Sequence, residues 1–261
     1  MKKIRLNMNQ EKLTTLAVQK MKEVFPEEDW QESTYVRKAN GAICEADSRY
    51  IYFSAPSYFK DEFVDAKMIN KLQKGASMLS VGVGEGHLER LLSLGFQIPK
   101  NQITITDYPS VHPKIKESGF KEYVFDMTKE WPDFKENFDY VLFPESLGVA
   151  TMDLGEEMCY RFFEDTIRIN KLCKERRFDD FENSEAEFFI GLMEKDVPVV
   201  KVRYAIICNA LKVLNPGGEI RISHGIKLPQ QPAYMQLRLK KDGVNVSYPA
   251  GKYSHYFFIK K

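Results

Sequence analysis

The chain has 261 residues, enough to bury a full core and close to the upper size of one α/β domain with an added cap. Its 38 Lys and Arg against 37 Asp and Glu leave a formal net charge of +1, which excludes nucleic-acid binding driven by net charge. The basic first dozen residues have no apolar run behind them, and no stretch of about 18 apolar residues occurs, so a cytoplasmic protein with no membrane partner is expected.

Residues 9–25 carry Leu13, Leu16, Ala17 and Met21 at helical spacing, and Pro26 stops the pattern. The stretch to residue 54 is irregular, with Tyr50, Tyr52 and Phe53 in an extended piece. Val64, Met68 and Leu72 predict a second helix from about Lys60, ended by Gly75. No Gly/Ser- or Pro-rich linker follows, so residues 1–75 read as a helical cap packed before the first strand.

Residues 77–95, SMLSVGVGEGHLERLLSLG, organise the rest. Met78, Leu79 and Val81 form a short apolar strand of the kind buried on both faces of a parallel sheet. Gly82, Gly84 and Gly86 follow at alternate positions, where side chains would obstruct a sharp turn and a close ligand. Leu88, Leu91 and Leu92 then predict a helix with Gly95 as its C-cap. A strand, glycine loop and helix N-terminus present unpaired N–H groups to an anion or carboxylate. The spacing is G-x-G-x-G and not the dinucleotide G-x-G-x-x-G, because His87 stands at the last position of the latter.

A second strand, 103–106, ends in Asp107, Tyr108 and Pro109, and a short helix over 114–118 closes at Gly119. Tyr123 to Phe125 predict a third strand ending in Asp126. FDYVLF, 138–143, predicts a fourth, running into Pro144, Glu145 and Ser146. Strands alternating with crossovers argue for a parallel sheet with ligands at its carboxyl edge. Residues 148–196 exceed what a crossover needs and read as a helical insertion, a candidate lid over the substrate side. A helix over 199–214 leads through Pro216, Gly217 and Gly218 into a strand over 219–223. After a segment over 232–241, strands VNVSY and 253–259 flank the turn PAGK and pair antiparallel. Cys44, Cys159, Cys173 and Cys208 form no C-x-x-C pair, which points away from a metal centre and towards reduced, mostly buried thiols.

These motifs, taken in order, resemble the class I S-adenosylmethionine-dependent methyltransferases: the G-x-G-x-G loop, Asp107 ending the second strand, Asp126 after the third, and ALKVLNPGGEIRIS over 210–223. The resemblance covers about 75–261, with the cap and the insertion outside it. It implies an α/β, Rossmann-like fold with a seven-stranded, mostly parallel sheet and an antiparallel last strand, and a catalytic domain over 76–261. It implies S-adenosylmethionine as cofactor, held near Ser80, Gly82, Gly84, Gly86, His87, Asp107, Tyr108, Asp126, Met127 and Pro144. Asp107 would bind both ribose hydroxyls, since a carboxylate can accept from a cis-diol, and is expected to stand solvated when no ligand is bound. Asp126 would hold the adenine edge, or else serve as a solvated acid or cap.

Two positions depart from the family pattern. Ser80 stands where members commonly carry an acid with an indirect role at the methionine amino group. Phe143-Pro144-Glu145-Ser146 is not the box of the amino-methylating branches, so the acceptor, a small molecule or a peptide, is left open. Glu145 and His224 are the candidate catalytic residues, the one at the carboxyl edge and the other available as a neutral base, against plain readings as surface residues. Aminopropyl transfer on the same fold, and nucleoside binding without turnover, are the rival readings.

Overall fold

The computed structural model describes residues 8–26, 58–59, 62–144, 146–151, 164–175, 177–223, 230–247 and 256–261. Seven strands form one sheet: β1 Met78–Val81, β2 Ile103–Asp107, β3 Lys121–Val124, β4 Phe138–Pro144, β5 Leu214–Ser223, β6 Asn245–Ser247 and β7 Tyr256–Lys260. Their order is β3-β2-β1-β4-β5-β7-β6, with β7 antiparallel to both its neighbours and the other pairs parallel. This is the mostly parallel sheet with an antiparallel last strand that the sequence implied.

The alternation of side chains along β4 divides the core. Val141 and Phe143 join Leu79, Val81, Ile220 and Ile222 on one face, while Tyr140 and Leu142 join Met78, Ile103 and Ile105 on the other. The second face is covered by α1 (Gln10–Val24), α2 (Ala66–Leu72) and α3 (His87–Arg90). Helix α1 forms because Leu13, Ala17 and Met21 recur every fourth residue and are buried, and because the Asn9 side chain accepts from Lys12 N–H at 3.0 Å. Helix α2 starts at Ala66, not near Lys60. Asp65 caps it by accepting from Met68 N–H at 2.7 Å, and the preceding turn has Glu62 at φ 64° and Val64 N–H donating to Tyr58 O.

The helix after the glycine loop differs from expectation. Four residues of α3 pass into a π turn, Leu91–Gly95. Gly95 is not in the left-handed region, so it is no C-cap glycine. A Cβ there would stand 2.8 Å from Leu91 Cδ1 and 3.2 Å from Lys20 Cβ, so its small size serves the close packing of α1 on this turn. Likewise β3 begins at Lys121, two residues earlier than read, because left-handed Gly119 turns the chain directly into register with β2.

After α4 (Pro113–Lys116) and α5 (Ser146–Val149), the helices α6 (Glu164–Glu175), α7 (Asn183–Asp196), α8 (Val199–Lys212) and α9 (Gln230–Lys241) follow. Within the insertion, Ile169, Cys173, Phe178, Phe189, Ile190 and Met193 are buried in the same cluster as the first face of the sheet. Helix α9, where 232–241 had been read only as a segment, packs against α6, α7 and α8, with Lys241 paired to Glu187 at 2.9 Å. The described part of the insertion is thus a piece of the helical layer on the sheet. The Asn215 to Gly218 turn lies at the amino edge, where Asn215 Nδ2 donates to Asp139 Oδ1 at 3.1 Å and left-handed Gly217 donates to Lys261 O. It is therefore remote from the carboxyl edge.

Candidate active site

Strand order reverses at β1, because the chain proceeds to β2 and β3 on one side and to β4 and β5 on the other. In an open α/β sheet the crevice at such a reversal, outside the carboxyl ends, is where ligands bind. The loop 82–86 leaves β1 there. Gly82 and Val83 N–H both donate to Thr106 O, at 2.8 and 3.2 Å, and Gly84 N–H donates to Asp107 Oδ2 at 3.0 Å. The loop is thereby tied to the end of β2.

Two of the glycines answer to the protein's own packing. Gly82 has φ 72°, and a Cβ on it would lie 2.4 Å from Ser146 Cβ and 3.2 Å from Met127 Cε. Ser146, at the start of α5, in turn donates its hydroxyl to Val81 O. Gly82 thus sits where the segments following β1, β3 and β4 converge, and no side chain fits. Gly86 has φ 70°, and its Cβ would fall 1.9 Å from Ile115 Cδ1 of α4. Both a left-handed backbone and close approach exclude other residues at these positions.

Asp107 is held from two directions: its Oδ2 accepts from Gly84 and its Oδ1 from Tyr108 N–H at 2.9 Å. Asp107 is partly exposed at the strand end, and two backbone donors orient its carboxylate. Asp126 accepts from Thr128 N–H at 2.9 Å and Thr128 Oγ1 at 2.7 Å, a local turn of the kind the plainer reading anticipated. Met127 is buried against the glycine loop, and its carbonyl accepts from Trp131 Nε1 at 3.0 Å. Tyr108 is exposed, and Pro144 ends β4 opposite Ser223. Glu145 and His224 lie outside the described residues, as do Tyr50, Tyr52 and Phe53.

On the rim of the loop, Glu85 meets three basic side chains. Lys114 Nζ is 2.8 Å from its carboxylate, His87 Nε2 3.6 Å and His112 Nε2 4.0 Å. Burial pushes the Glu85 carboxyl up, but the Lys114 hydrogen bond and the neighbouring positive charges outweigh it and hold the group below its ordinary value. The His87 ring meets Phe25 edge-on at 5.4 Å, which carries the end of α1 to the mouth of the loop. Among the described residues no cluster of His, Cys, Asp and Glu could hold a metal ion.

A residue that the sequence reading passed over, Glu89, completes the site together with Ser80. Ser80 donates its hydroxyl to Glu89 Oε1, and both side chains are buried between β1 and α3. Burial, reinforced by the charge of Asp107 and opposed by the Ser80 hydrogen bond and the residue's own backbone N–H, pushes the Glu89 carboxyl up to about 7. The signal for it was Ser80 itself: a polar residue in a strand buried on both faces requires a buried polar partner.

No protein-family model matches the chain, and no curated protein matches its sequence. Solved structures do. A methyltransferase from Pyrococcus furiosus is 13% identical, with 95% of this chain covering 97% of that one at a TM-score of 0.45. The amino pentose methyltransferase CalS10 from Micromonospora echinaspora, a structure with S-adenosylmethionine bound, is 16% identical over 60% of this chain and 46% of its own, at a TM-score of 0.32. TrmN from Thermus thermophilus is 13% identical over 74% of this chain and 48% of its own, at a TM-score of 0.38. The chain thus spans less than half the length of the last two. By its strand order, with β7 antiparallel between β5 and β6, the chain has the class I, Rossmann-like methyltransferase fold.

Proposed function

We propose that the protein is an S-adenosylmethionine-dependent methyltransferase acting on a small-molecule or peptide acceptor. The observation that carries this reading is the clamp of Gly84 N–H on Asp107 at the reversal of strand order. It fixes a carboxylate beside a glycine-rich loop, an acceptor pair suited to a ribose diol, since carboxylate oxygens accept more than one bond each. Gly82, Val83 and Gly84 would form the floor beneath the amino-acid end. Asp107 would take the ribose, and Met127 would supply apolar surface for the base. The bound cofactor supplies an activated methyl group, so the protein's contribution is to align the acceptor and exclude water. Glu145 and His224 remain the candidates for accepting the acceptor's proton, from the segments that follow β4 and β5.

The helices over 164–196 lie on the face of the sheet formed by Val141 and Phe143 of β4 and Ile220 and Ile222 of β5. We place the acceptor there, between the end of β4 and this layer. The buried insertion residues mean that removing the whole segment would expose the core, so a lid role is better tested by surface changes than by deletion. Among the described residues no helix is long and apolar enough to cross a membrane.

Mass spectrometry of the nucleoside retained by freshly purified protein tests the proposal, followed by titration with S-adenosylhomocysteine. Retention or micromolar binding supports it. Failure to bind either S-adenosylmethionine or S-adenosylhomocysteine overturns it, and a retained product other than S-adenosylhomocysteine redirects it to another transfer.

A further inference from the structure

Glu89 is 1% exposed, and among the described residues no cation pairs with it. Its hydrogen-bond partners are the Ser80 hydroxyl and its own backbone N–H. The charged group that faces it from β2 is Asp107, another acid; on its own segment Glu85 and His87 stand nearer the rim and are engaged with each other and with Lys114. An ionised carboxylate in such a place is costly unless a positive charge comes near, and a neutral one gives up that cost by keeping its proton. The loop 82–86 begins two residues after Ser80, so a ligand seated on that loop brings its own charge to the carboxyl group's end of β1.

We propose that Glu89 is a positioning residue that answers a cationic ligand: an ammonium on the glycine loop draws the proton off Glu89, and the resulting carboxylate, relayed through Ser80, holds that ammonium in place. This rests on the methyltransferase reading and names the end of the ligand that the loop recognises. The proton passes from the Glu89 carboxyl to solvent on binding; no bond in the ligand changes. Glu89, supplied from the helix, thus provides negative charge behind a strand that lacks an acid of its own. Selection follows from the same arrangement: nucleosides with an aminoalkyl or amino-acid end should gain from the site, and those without one should not.

Calorimetry of S-adenosylhomocysteine binding in buffers of different ionisation enthalpy tests the proposal on the full chain. At pH 6 the wild type should release most of one proton, and affinity should rise about tenfold between pH 5.5 and 7. In Glu89→Gln the release should fall to the residue left by His87 and His112, with affinity at pH 7 lowered about tenfold. 5′-Methylthioadenosine, which lacks the amino-acid end, should bind both proteins alike and without the release. Ser80→Ala, which keeps the acid but removes the relay, should retain the release and weaken binding, and it serves if Glu89→Gln does not fold. Binding by the wild type with no proton release, or equal release from wild type and Glu89→Gln, overturns the assignment while leaving the methyltransferase reading in place. A wild type that binds none of these nucleosides overturns both.

Discussion

Arg221 Nη2 lies 2.9 Å from Asp65 Oδ2, and through this pair the N-terminal helices are fastened to the centre of the sheet. The same guanidinium donates to Phe63 O at 2.8 Å and to Glu219 Oε1 at 2.6 Å, and it lies over the rings of Phe258 and Tyr140. With 3% of its side chain exposed, it is a buried charge whose partners come from the segment before α2, from β4, from β5 and from β7. Burial in turn pushes the Tyr140 phenol up.

Removing one member of a buried pair strands the other, at about 3 to 5 kcal/mol. Arg221→Ala should therefore lower the unfolding free energy by about that amount, measured by urea denaturation. Asp65→Ala should cost about 2 kcal/mol, because it loses an exposed-edge partner together with the cap on Met68 N–H. An Arg221→Ala protein within about 0.5 kcal/mol of wild type would mean that the cap is not fastened by this residue.

The Gly86 and Ile115 contact predicts a coupling. Gly86→Ala places a methyl group in the Ile115 side chain at a left-handed residue. The expected cost is about 1 to 2 kcal/mol for the backbone and about 1 to 3 for the overlap. Ile115→Ala in the same chain should recover the second part and leave the first, giving a double-mutant coupling of at least about 1 kcal/mol. Strict additivity would show that the loop and α4 do not meet as described.

Glu89 makes stability depend on pH with a definite sign. Its carboxyl is raised from an ordinary 4.5 to about 7, so the folded state binds the extra proton and stability falls as pH rises through that interval. The cost is absent below about 4.5 and complete above about 7, where it amounts to roughly 3 kcal/mol. Glu89→Gln should accordingly be more stable than wild type at pH 8, with the difference shrinking towards zero near pH 4.5. Denaturant titrations of both proteins at pH 5 and pH 8 would show it, and a constant difference between the two pH values would contradict the burial of an ionisable group here.

What the sequence displays and what it conceals have physical causes. The loop glycines and Asp107 were legible because backbone conformation and strand ends restrict residue type locally. Arg221 was not, because its partners Phe63 and Asp65 lie more than 150 residues away in the chain and nothing local marks the contact. Glu89 escaped for a similar reason: it falls off the Leu88, Leu91 and Leu92 stripe and reads as a surface acid until Ser80 is seen to meet it. Gly95 was misassigned because a small residue at a helix end serves either a left-handed cap or a close helix contact, and spacing alone does not separate them. Asp107 ends β2 as read, but its bond to Gly84 N–H escaped notice because it joins residues far apart in the chain.

The central claim is that the Gly84 and Asp107 clamp is the ribose end of a nucleoside site. The most direct measurement is calorimetric affinity for S-adenosylhomocysteine in wild type and Asp107→Ala, with unfolding free energies measured without ligand. Losing charge-assisted hydrogen bonds of about 1.5 to 3 kcal/mol should weaken binding roughly ten- to a hundred-fold. The unliganded protein should lose about 1 to 2 kcal/mol, because two backbone N–H groups lose their acceptor. An Asp107→Ala protein that is destabilised to this degree yet binds S-adenosylhomocysteine with wild-type affinity would contradict the account.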